Sequence, residues 1–553
     1  MRFFIVQLPL CLFTSLIPSL FGQPASSLQP AQVRCLDSIA SQDVPAHSPG
    51  IATGIVRNGR IVYSHYAGYA NLTDSVLIDQ ASRFNIASNA KQFTALAILL
   101  LADQKRLSLE DDIRTFIPGL YRGINHKISL KHLLNHSSGI RDVYDLWSLQ
   151  GITWWKTTLT NQNALALLQK QQELNFEPGT SYLYSNSNYI LLATVVEQVT
   201  GESFVQYTQK LFAKLGMPYT TFVDNHSAIP EPIAKPYFNF DRWVNYDWLC
   251  DIHGDGNLFT TLADQLAWEV IIQLGHHDSL PPGLIQRSQQ LVENSPVTSY
   301  GYGLEFGRYQ GLSYQFHEGA TGAWKATLIR FPTDSLSVIT LTNSGKTLPA
   351  TQTRQMADVL LGPKLAETTY PRQPKQVGAY KTIPEVLGIY LDANDFSFQF
   401  VQRDTSLYLI RFGRNDVQLV RESANSFHQL NDPSFKLEFA TDQMGHLQVT
   451  AYHPTHAPYT LGRRDQDWRG FDFGRINGTY RNGETNQSLL INHLSSQQFS
   501  VKLGEQEAAG VLVSPTKLLC DGFQVALTSS GKPTTVFLDL NRLKKVRFKR
   551  VNP

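Results

Sequence analysis

The sequence predicts an α+β domain followed by two small antiparallel β domains. Three observations lead there. Within the first 365 residues, helix-like segments fall in the middle and strand-like segments at both ends. Near residue 365 the texture changes to short alternating segments. Two similar starts, Leu387-Gly388-Ile389-Tyr390 and Asn477-Gly478-Thr479-Tyr480, then lie ninety residues apart, as in two copies of one unit.

The elements follow in order. Residues 30–41 read as a helix. Residues 51–56 and 60–66 flank Asn58-Gly59, a two-residue hairpin signal. Gly and Ala alternate with larger residues there, as in a sheet covered by helices. Residues 87–101 are rich in Ala and Leu without Gly or Pro, which predicts a buried helix with Ser88 in its first turn. Residues 188–199 predict another helix, and Thr261-Leu262-Ala263-Asp264 is a capping-box pattern opening a third. Residues 326–331 and 336–341 read as strands joined at Pro332-Thr333-Asp334. Beyond the Pro-containing stretch 370–375, segments such as 397–401, 407–412, 417–420 and 436–439 alternate apolar and polar residues, predicting antiparallel sandwiches or barrels.

Length and composition set the frame. A chain of 553 residues is too long for one core, so two to four domains are expected. Hydrophobic content of 42%, charged content of 17% and a net charge of +2 describe a globular protein with no nucleic-acid partner. Arg2 followed by the apolar run 3–21 reads as a signal peptide over residues 1–22. Pro9 and Pro18 argue against a membrane anchor, and Leu10 before Cys11 against a lipoprotein. A periplasmic or secreted protein without an integral membrane segment after cleavage is the expectation. The domain layout is then 23–365, a linker at 366–384, one β domain at 385–465 and a second at 470–553, with 463–470 as the joint. The basic cluster Lys544-Lys545-Arg547-Lys549-Arg550 is placed on the exposed side of a final strand. Cys35, Cys250 and Cys520 have no metal-ligand spacing and are expected as three buried free thiols rather than a disulfide. No metal and no cofactor is implied. Oligomeric state is not legible.

Three short motifs carry chemistry. Ser88 and Lys91, three apart at a helix start, share one helical face, near amide donors and the positive dipole end. A lysine buried in this apolar helix has a lowered pKa and serves as a base, or holds a deprotonated Tyr184. Tyr184-Ser185-Asn186 lies between Pro178-Gly179-Thr180 and an apolar helix, so Tyr184 can relay a proton and Asn186 can bind an amide carbonyl. His317-Glu318-Gly319 is the H-x-G just before the strand at 326–331, where glycine admits a substrate backbone and histidine donates to a carbonyl or carboxylate or joins the proton network. Each motif alone is weak: S-x-x-K recurs at Ser514-Lys517 and Ser529-Lys532, and Y-x-N at Tyr69-Asn71, Tyr237-Asn239 and Tyr480-Asn482. Trp147, Trp154 and Trp155 either wall a cleft or sit in the core.

In this order the motifs resemble those of the serine β-lactamase and penicillin-binding-protein-like superfamily, in its class C-like branch. The flanking pieces Phe84-Asn85-Ile86-Ala87, Leu133-Leu134-Asn135-His136-Ser137-Ser138-Gly139, Gly254-Asp255-Gly256-Asn257 and Leu341-Thr342-Asn343-Ser344-Gly345 agree, over roughly residues 28–365. The resemblance implies a helical subdomain beside an antiparallel sheet flanked by helices. It makes Ser88 the acylated nucleophile, Lys91 and Tyr184 the acid–base pair, and Asn186 the holder of the acyl side-chain amide. His317 takes the place of the lysine in K-T-G, Gly319 permits substrate docking, and the N–H groups of Ser88 and Ala320 form the oxyanion hole. A neutral histidine is a weaker carboxylate anchor than lysine, which counts against efficient β-lactam hydrolysis. The two β domains resemble the C-terminal barrel (lipocalin-like) domains of D-aminopeptidases. In those enzymes a loop from a β domain can narrow the site and select short substrates; whether one does so here is not legible in the sequence. The expected function is an exported serine hydrolase forming an acyl-serine on short D-amino-acid peptides, amides or small esters, of D-aminopeptidase, DD-carboxypeptidase or esterase type. Its small-molecule or short-peptide substrate is the only partner implied. The alternatives are a non-turnover penicillin or peptidoglycan sensor and a true β-lactamase.

Overall fold

The computed structural model describes residues 28–362, 383–392, 396–410, 416–453, 456–463, 468–528 and 532–551. The expected signal peptide, residues 366–382 of the expected linker and residues 464–467 of the expected joint lie outside the described residues.

Ile51–Arg57 (β1) and Arg60–Ala67 (β2) form the expected hairpin. Asn58 and Gly59 both take positive φ, +52° and +69°, the twist-matched turn that Asn-Gly favours. Glu305–Tyr309 (β3), Leu312–Thr321 (β4), Trp324–Phe331 (β5) and Leu336–Thr342 (β6) form a meander. Strand β6 pairs antiparallel with β1, closing one sheet of order β3-β4-β5-β6-β1-β2. His317 to Gly319 therefore lie inside β4, not in a loop before the next strand. Long polar side chains at 315 and 318 hide the strand from a hydrophobicity reading.

Five helices frame the sheet and the site: Pro30–Ser41 (α1), Lys91–Asp103 (α2), Asn186–Thr200 (α3), Leu262–Leu274 (α4) and Pro349–Leu361 (α5). α1 and α5 bury Leu36, Ala40, Met356 and Leu361 with Ile55, Ile329 and Val338 of the sheet. α4 covers the opposite face so closely that a Cβ on Gly54 would come within 2.8 Å of Leu266. Thr261 caps α4 by accepting from Asp264 N at 3.2 Å, while the Asp264 carboxylate takes Tyr219 N and Thr220 Oγ1 instead of closing a capping box. α2 is buried on all sides: Phe93, Leu96, Ile98, Leu99 and Leu101 are fully enclosed. At roughly 1.5–3 kcal/mol for each such side chain, they outweigh the cost of the one lysine buried with them.

The alternating C-terminal segments form two closed eight-stranded antiparallel barrels, from Gly388–Leu391 to His456–Arg463 and from Gly478–Arg481 to Val546–Arg550. Closure removes the exposed edges that a small sheet would otherwise present. The two are built alike. Tyr390 donates to Val386 O at 3.0 Å and Tyr480 to Ile476 O at 2.8 Å, so each G-x-Y ties its first strand to the preceding turn. They sit differently. The first barrel has its own core around Phe398, Phe400 and Phe439. Core residues of the second, among them Tyr480, Phe499 and Val525, belong to the same apolar cluster as α2 and α3. The basic cluster lies on the exposed side of the final strand as expected, with Lys545, Arg547 and Lys549 exposed around buried Val546 and Phe548; Arg550 donates to Tyr480 Oη at 2.7 Å, and Arg547 pairs with Glu173 of the helical subdomain. Cys35 is exposed, Cys250 half-buried and Cys520 buried, all as free thiols, so the expected burial holds for one of the three. Among the described residues no helix is long and apolar enough to cross a membrane, and no group of side chains could hold a metal ion.

Candidate active site

Ser88 sits on a short 3-10 turn, Ala87–Ala90, that runs directly into α2. Ala87 is held at φ +47°, a left-handed conformation that alanine rarely adopts. Its N–H is fixed by Asn85 Oδ1 at 2.9 Å, and Asn85 is braced by Asn257 at 3.0 Å. Strain is thus stored one residue before the serine and retained by buried amides. Gly319 explains the other side of the turn. A Cβ there would lie 2.3 Å from Ile86 O and 3.1 Å from Ser88 N. The chain's own serine turn therefore makes a close approach that needs glycine here.

Lys91 is fully buried and its ammonium is spent on three acceptors: Ser88 Oγ at 3.0 Å, Asn186 Oδ1 at 3.0 Å and Asp255 O at 2.6 Å. Burial pulls its pKa down to about 7, the Arg542 cation adds to this, and Asp255 and Asp142 oppose it. The nitrogen is therefore poised to exchange a proton with the serine near neutral pH. Since Lys91 takes the amide oxygen of Asn186, the Asn186 NH₂ is the end left to donate elsewhere.

Tyr184 precedes α3 and lies over the lysine, whose Nζ is 4.9 Å from the ring centroid. Burial raises the phenol's pKa above its ordinary value; Arg542 and a hydrogen bond with Ser88 work against that. Burial thus favours the neutral phenol over a lysine-held phenolate. His136 fixes it in place: the rings are 4.3 Å apart, and His136 Nδ1 accepts from Ser185 N at 3.2 Å. Burial lowers the His136 pKa well below the usual histidine range, so this support is uncharged.

His317 is also buried, and its ring is committed. Nδ1 contacts Glu318 O at 2.9 Å, which only an N–H can satisfy, and Nε2 then accepts from Tyr300 Oη at 3.0 Å. Burial, then the nearby Lys91, pulls its pKa down to about 3. The ring has no free donor for a substrate carbonyl or carboxylate, which corrects the expected contact; it braces Tyr300 behind Tyr184 instead. Ala320 is exposed and shares a cavity of about 270 Å³ with Ser88, Asn186, Trp154, Trp248 and Asp255. That volume is at the lower end for small-ligand sites. Trp154 walls this cavity, Trp147 is core and Trp155 is exposed.

Several residues at the site had not been singled out for a role. Asp142 caps two helices at once, accepting from Tyr144 N at 3.0 Å and Asn186 N at 2.7 Å. Tyr144 donates to Asp255 Oδ2 at 3.1 Å. The second barrel contributes Asn541 and Arg542 from the loop between its last two strands. Arg542 N donates to Asp145 Oδ2 at 2.6 Å, while Asn175 accepts from Lys544 N at 2.8 Å and donates to Arg542 O at 3.2 Å. Beside this loop, buried Arg141 reaches Glu484 of the barrel at 2.5 Å. Whether a barrel loop reaches the site was not legible in the sequence; here Asn541 and Arg542 line the cavity. The short helix start after Gly139-Ile140-Arg141 was a detectable signal for Asp142; nothing local marks Arg542.

The sequence pattern of the beta-lactamase family matches residues 36–380. The chain belongs to the beta-lactamase family. Protein flp of Staphylococcus aureus (strain MRSA252) is 29% identical over 330 residues, 56% of this chain and 62% of that protein. D-aminopeptidase of Brucella canis (strain ATCC 23365 / NCTC 10854 / RM-666) is 28% identical over 307 residues, 53% of this chain and 56% of that protein. The chain thus spans less than two thirds of the curated relatives it matches. Among solved structures, the octameric penicillin-binding protein homologue from Pyrococcus abyssi superposes with a TM-score of 0.57 at 22% identity, covering 78% of this chain and 100% of that one. D-amino acid amidase from Ochrobactrum anthropi SV3 does so with a TM-score of 0.51 at 19% identity, covering 60% and 99%. These two likenesses establish the shared fold.

Proposed function

We propose that this beta-lactamase family member is an exported serine hydrolase that forms an acyl-serine on short D-amino-acid peptides, related amides or small esters. The observation that carries the reading is the Lys91 nitrogen, buried, near-neutral in pKa and 3.0 Å from Ser88 Oγ. Neutral Lys91 takes the Ser88 proton as Oγ attacks the substrate carbonyl carbon. The N–H groups of Ser88 and Ala320 stabilise the oxyanion, and Asn186 holds the acyl side-chain amide. The neutral Tyr184 phenol hands a proton to the leaving nitrogen or oxygen and regains one from Lys91. Water then attacks the acyl-serine through the same groups in reverse.

The D-aminopeptidase relatives favour a D-amino-acid substrate, and the small cavity narrowed by the barrel loop favours short ones over bicyclic drugs. Export rests on the apolar start of the sequence. The test is intact-protein mass spectrometry with a fluorophosphonate and a fluorescent penicillin, run beside hydrolysis of D-amino-acid p-nitroanilides. A single adduct on Ser88 and loss of turnover in Ser88→Ala are expected. Undiminished turnover in Ser88→Ala would refute the reading.

A further inference from the structure

Charge at the mouth of the cavity is unevenly spent. The Asp142 carboxylate is taken up by two main-chain N–H groups. Asp145 accepts from the main chain of Arg542, and burial, then neighbouring Asp142, pushes its pKa up to about 6. Lys91 is committed to three acceptors, and His317 is neutral with both nitrogens engaged. Arg542 differs from all of these. Its guanidinium carbon stands 4.7 Å from the Tyr184 ring centroid, and its nearest carboxylate oxygen, on Asp142, is 3.8 Å away, beyond hydrogen-bond range. Among the described residues its side chain makes no hydrogen bond. Its planar fork of N–H donors thus lines the cavity with hydrogen-bonding capacity left over, paired with buried Asp142 by charge alone.

The loop that carries it is held by its main chain. Both the N–H and the carbonyl of Arg542 are bonded to the helical subdomain, and buried Leu543 anchors the turn from below by accepting from Leu540 N at 2.7 Å. The side chain makes none of the hydrogen bonds that hold the loop and is delivered beside the ring that also covers Lys91. Both cations lie within 5 Å of the Tyr184 centroid. A dipeptide whose scissile carbonyl sits at Ser88 carries its C-terminal carboxylate on the departing residue, one residue of about 3.8 Å beyond the scissile bond, on the Tyr184 side of the cavity that Arg542 also lines.

We propose that Arg542, supplied by the second barrel, is the specificity-determining anchor for a substrate carboxylate, the free C-terminal carboxylate of a short D-peptide. This rests on the acyl-serine reading above. The bidentate match of guanidinium to carboxylate replaces the contact that His317 does not provide. Peptide acids are then preferred over the corresponding amides, and the preference belongs to a residue outside the beta-lactamase-like domain.

The test compares a panel of two- and three-residue D-peptides as free acids and as C-terminal amides, at pH 9, above the pKa of about 7 that burial gives Lys91. The full-length protein, Arg542→Gln, Arg542→Lys and Ser88→Ala are used, with benzylpenicillin and its methyl ester as a second acid–neutral pair. The readout is the acid-to-amide ratio of kcat/KM, which absorbs any general loss of activity. Arg542→Gln is expected to lower that ratio about 30-fold, chiefly through KM, and Arg542→Lys to restore part of it, as expected for loss of a bidentate charged contact. An equal loss on acids and amides would overturn the proposal and make Arg542 a positioning residue. Acid preference confined to penicillin over its ester would overturn it too, assigning the guanidinium to a bicyclic drug. Turnover surviving in Ser88→Ala overturns the acyl-serine reading instead, whatever Arg542 does.

Discussion

Replacing Gly319 by alanine presses on the contact between β4 and the serine turn. The added Cβ would sit 2.3 Å from Ile86 O, where at least 3.0 Å is needed, so strand and turn must part by 0.7 Å or more. Neither side yields readily. Ile86 O accepts from Asn89 N at 3.1 Å, Ile86 N donates to Leu258 O at 3.0 Å, and β4 is paired with strands on both sides. Overpacking of this kind costs about 1–3 kcal/mol of stability. The chemistry suffers more, because a displacement near 1 Å at a reacting centre is worth about 10²-fold in rate. Gly319→Ala should therefore slow acylation of Ser88 roughly 10–100-fold, while urea unfolding shifts by only a modest amount. Rapid-mixing measurement of the acylation rate beside an equilibrium unfolding curve gives both numbers. Acylation within twofold of the unaltered protein, at unchanged unfolding midpoint, would show that the strand does not set the geometry of the serine.

Two further outcomes follow from the charges. Because neutral Lys91 is the base, kcat/KM should rise with pH through a limb near 7, and Arg542→Gln should move that limb upward by removing a cation that lowers the lysine's pKa; a limb that stays put when Arg542 is replaced would count against this coupling. The same shift has a stability sign: between about 7 and 10.5 the unfolded lysine holds more proton than the folded one, so the Lys91 contribution to stability should rise with pH over that window. Glu484→Gln leaves the buried Arg141 guanidinium with Glu173 at 3.4 Å as its remaining carboxylate, and chemical denaturation should show a loss of about 3 kcal/mol; no loss would mean that the two domains do not depend on the pair.

Much of this site is legible in sequence because the chemistry is local. Ser88 and Lys91 are one helical turn apart, and Tyr184 and Asn186 span a helix start, so spacing alone brings each pair together. The hairpin was readable from Asn58-Gly59, and the barrels from alternation and the repeated G-x-Y. His317 was found as a motif but misjudged as a loop residue, since a strand that carries glutamine and glutamate among its side chains shows little period-two hydrophobicity. For Gly319 the contact with the serine turn was not foreseen: a glycine signals a close approach without saying by what. Arg542 was out of reach. No periodicity connects a barrel loop to a cavity formed by residues 88–320, and a guanidinium there looks like any other basic residue near a final strand. The site's supports, His136 on Tyr184 and Asn85 on Ala87, are likewise long-range or turn-specific contacts that local propensity does not encode.

The shared apolar cluster of the second barrel and the helical subdomain has a consequence for the order in which the molecule becomes competent. Ser88 and its neighbours are synthesised early, and Arg542 among the last residues of this sequence. A nascent chain can assemble helices α2 and α3 around the serine well before the loop that covers the cavity exists. Until the barrel closes and docks, the nucleophile stands in a wider, less charged opening. On the proposed role of Arg542, selectivity then depends on the docking of the second barrel on the helical subdomain.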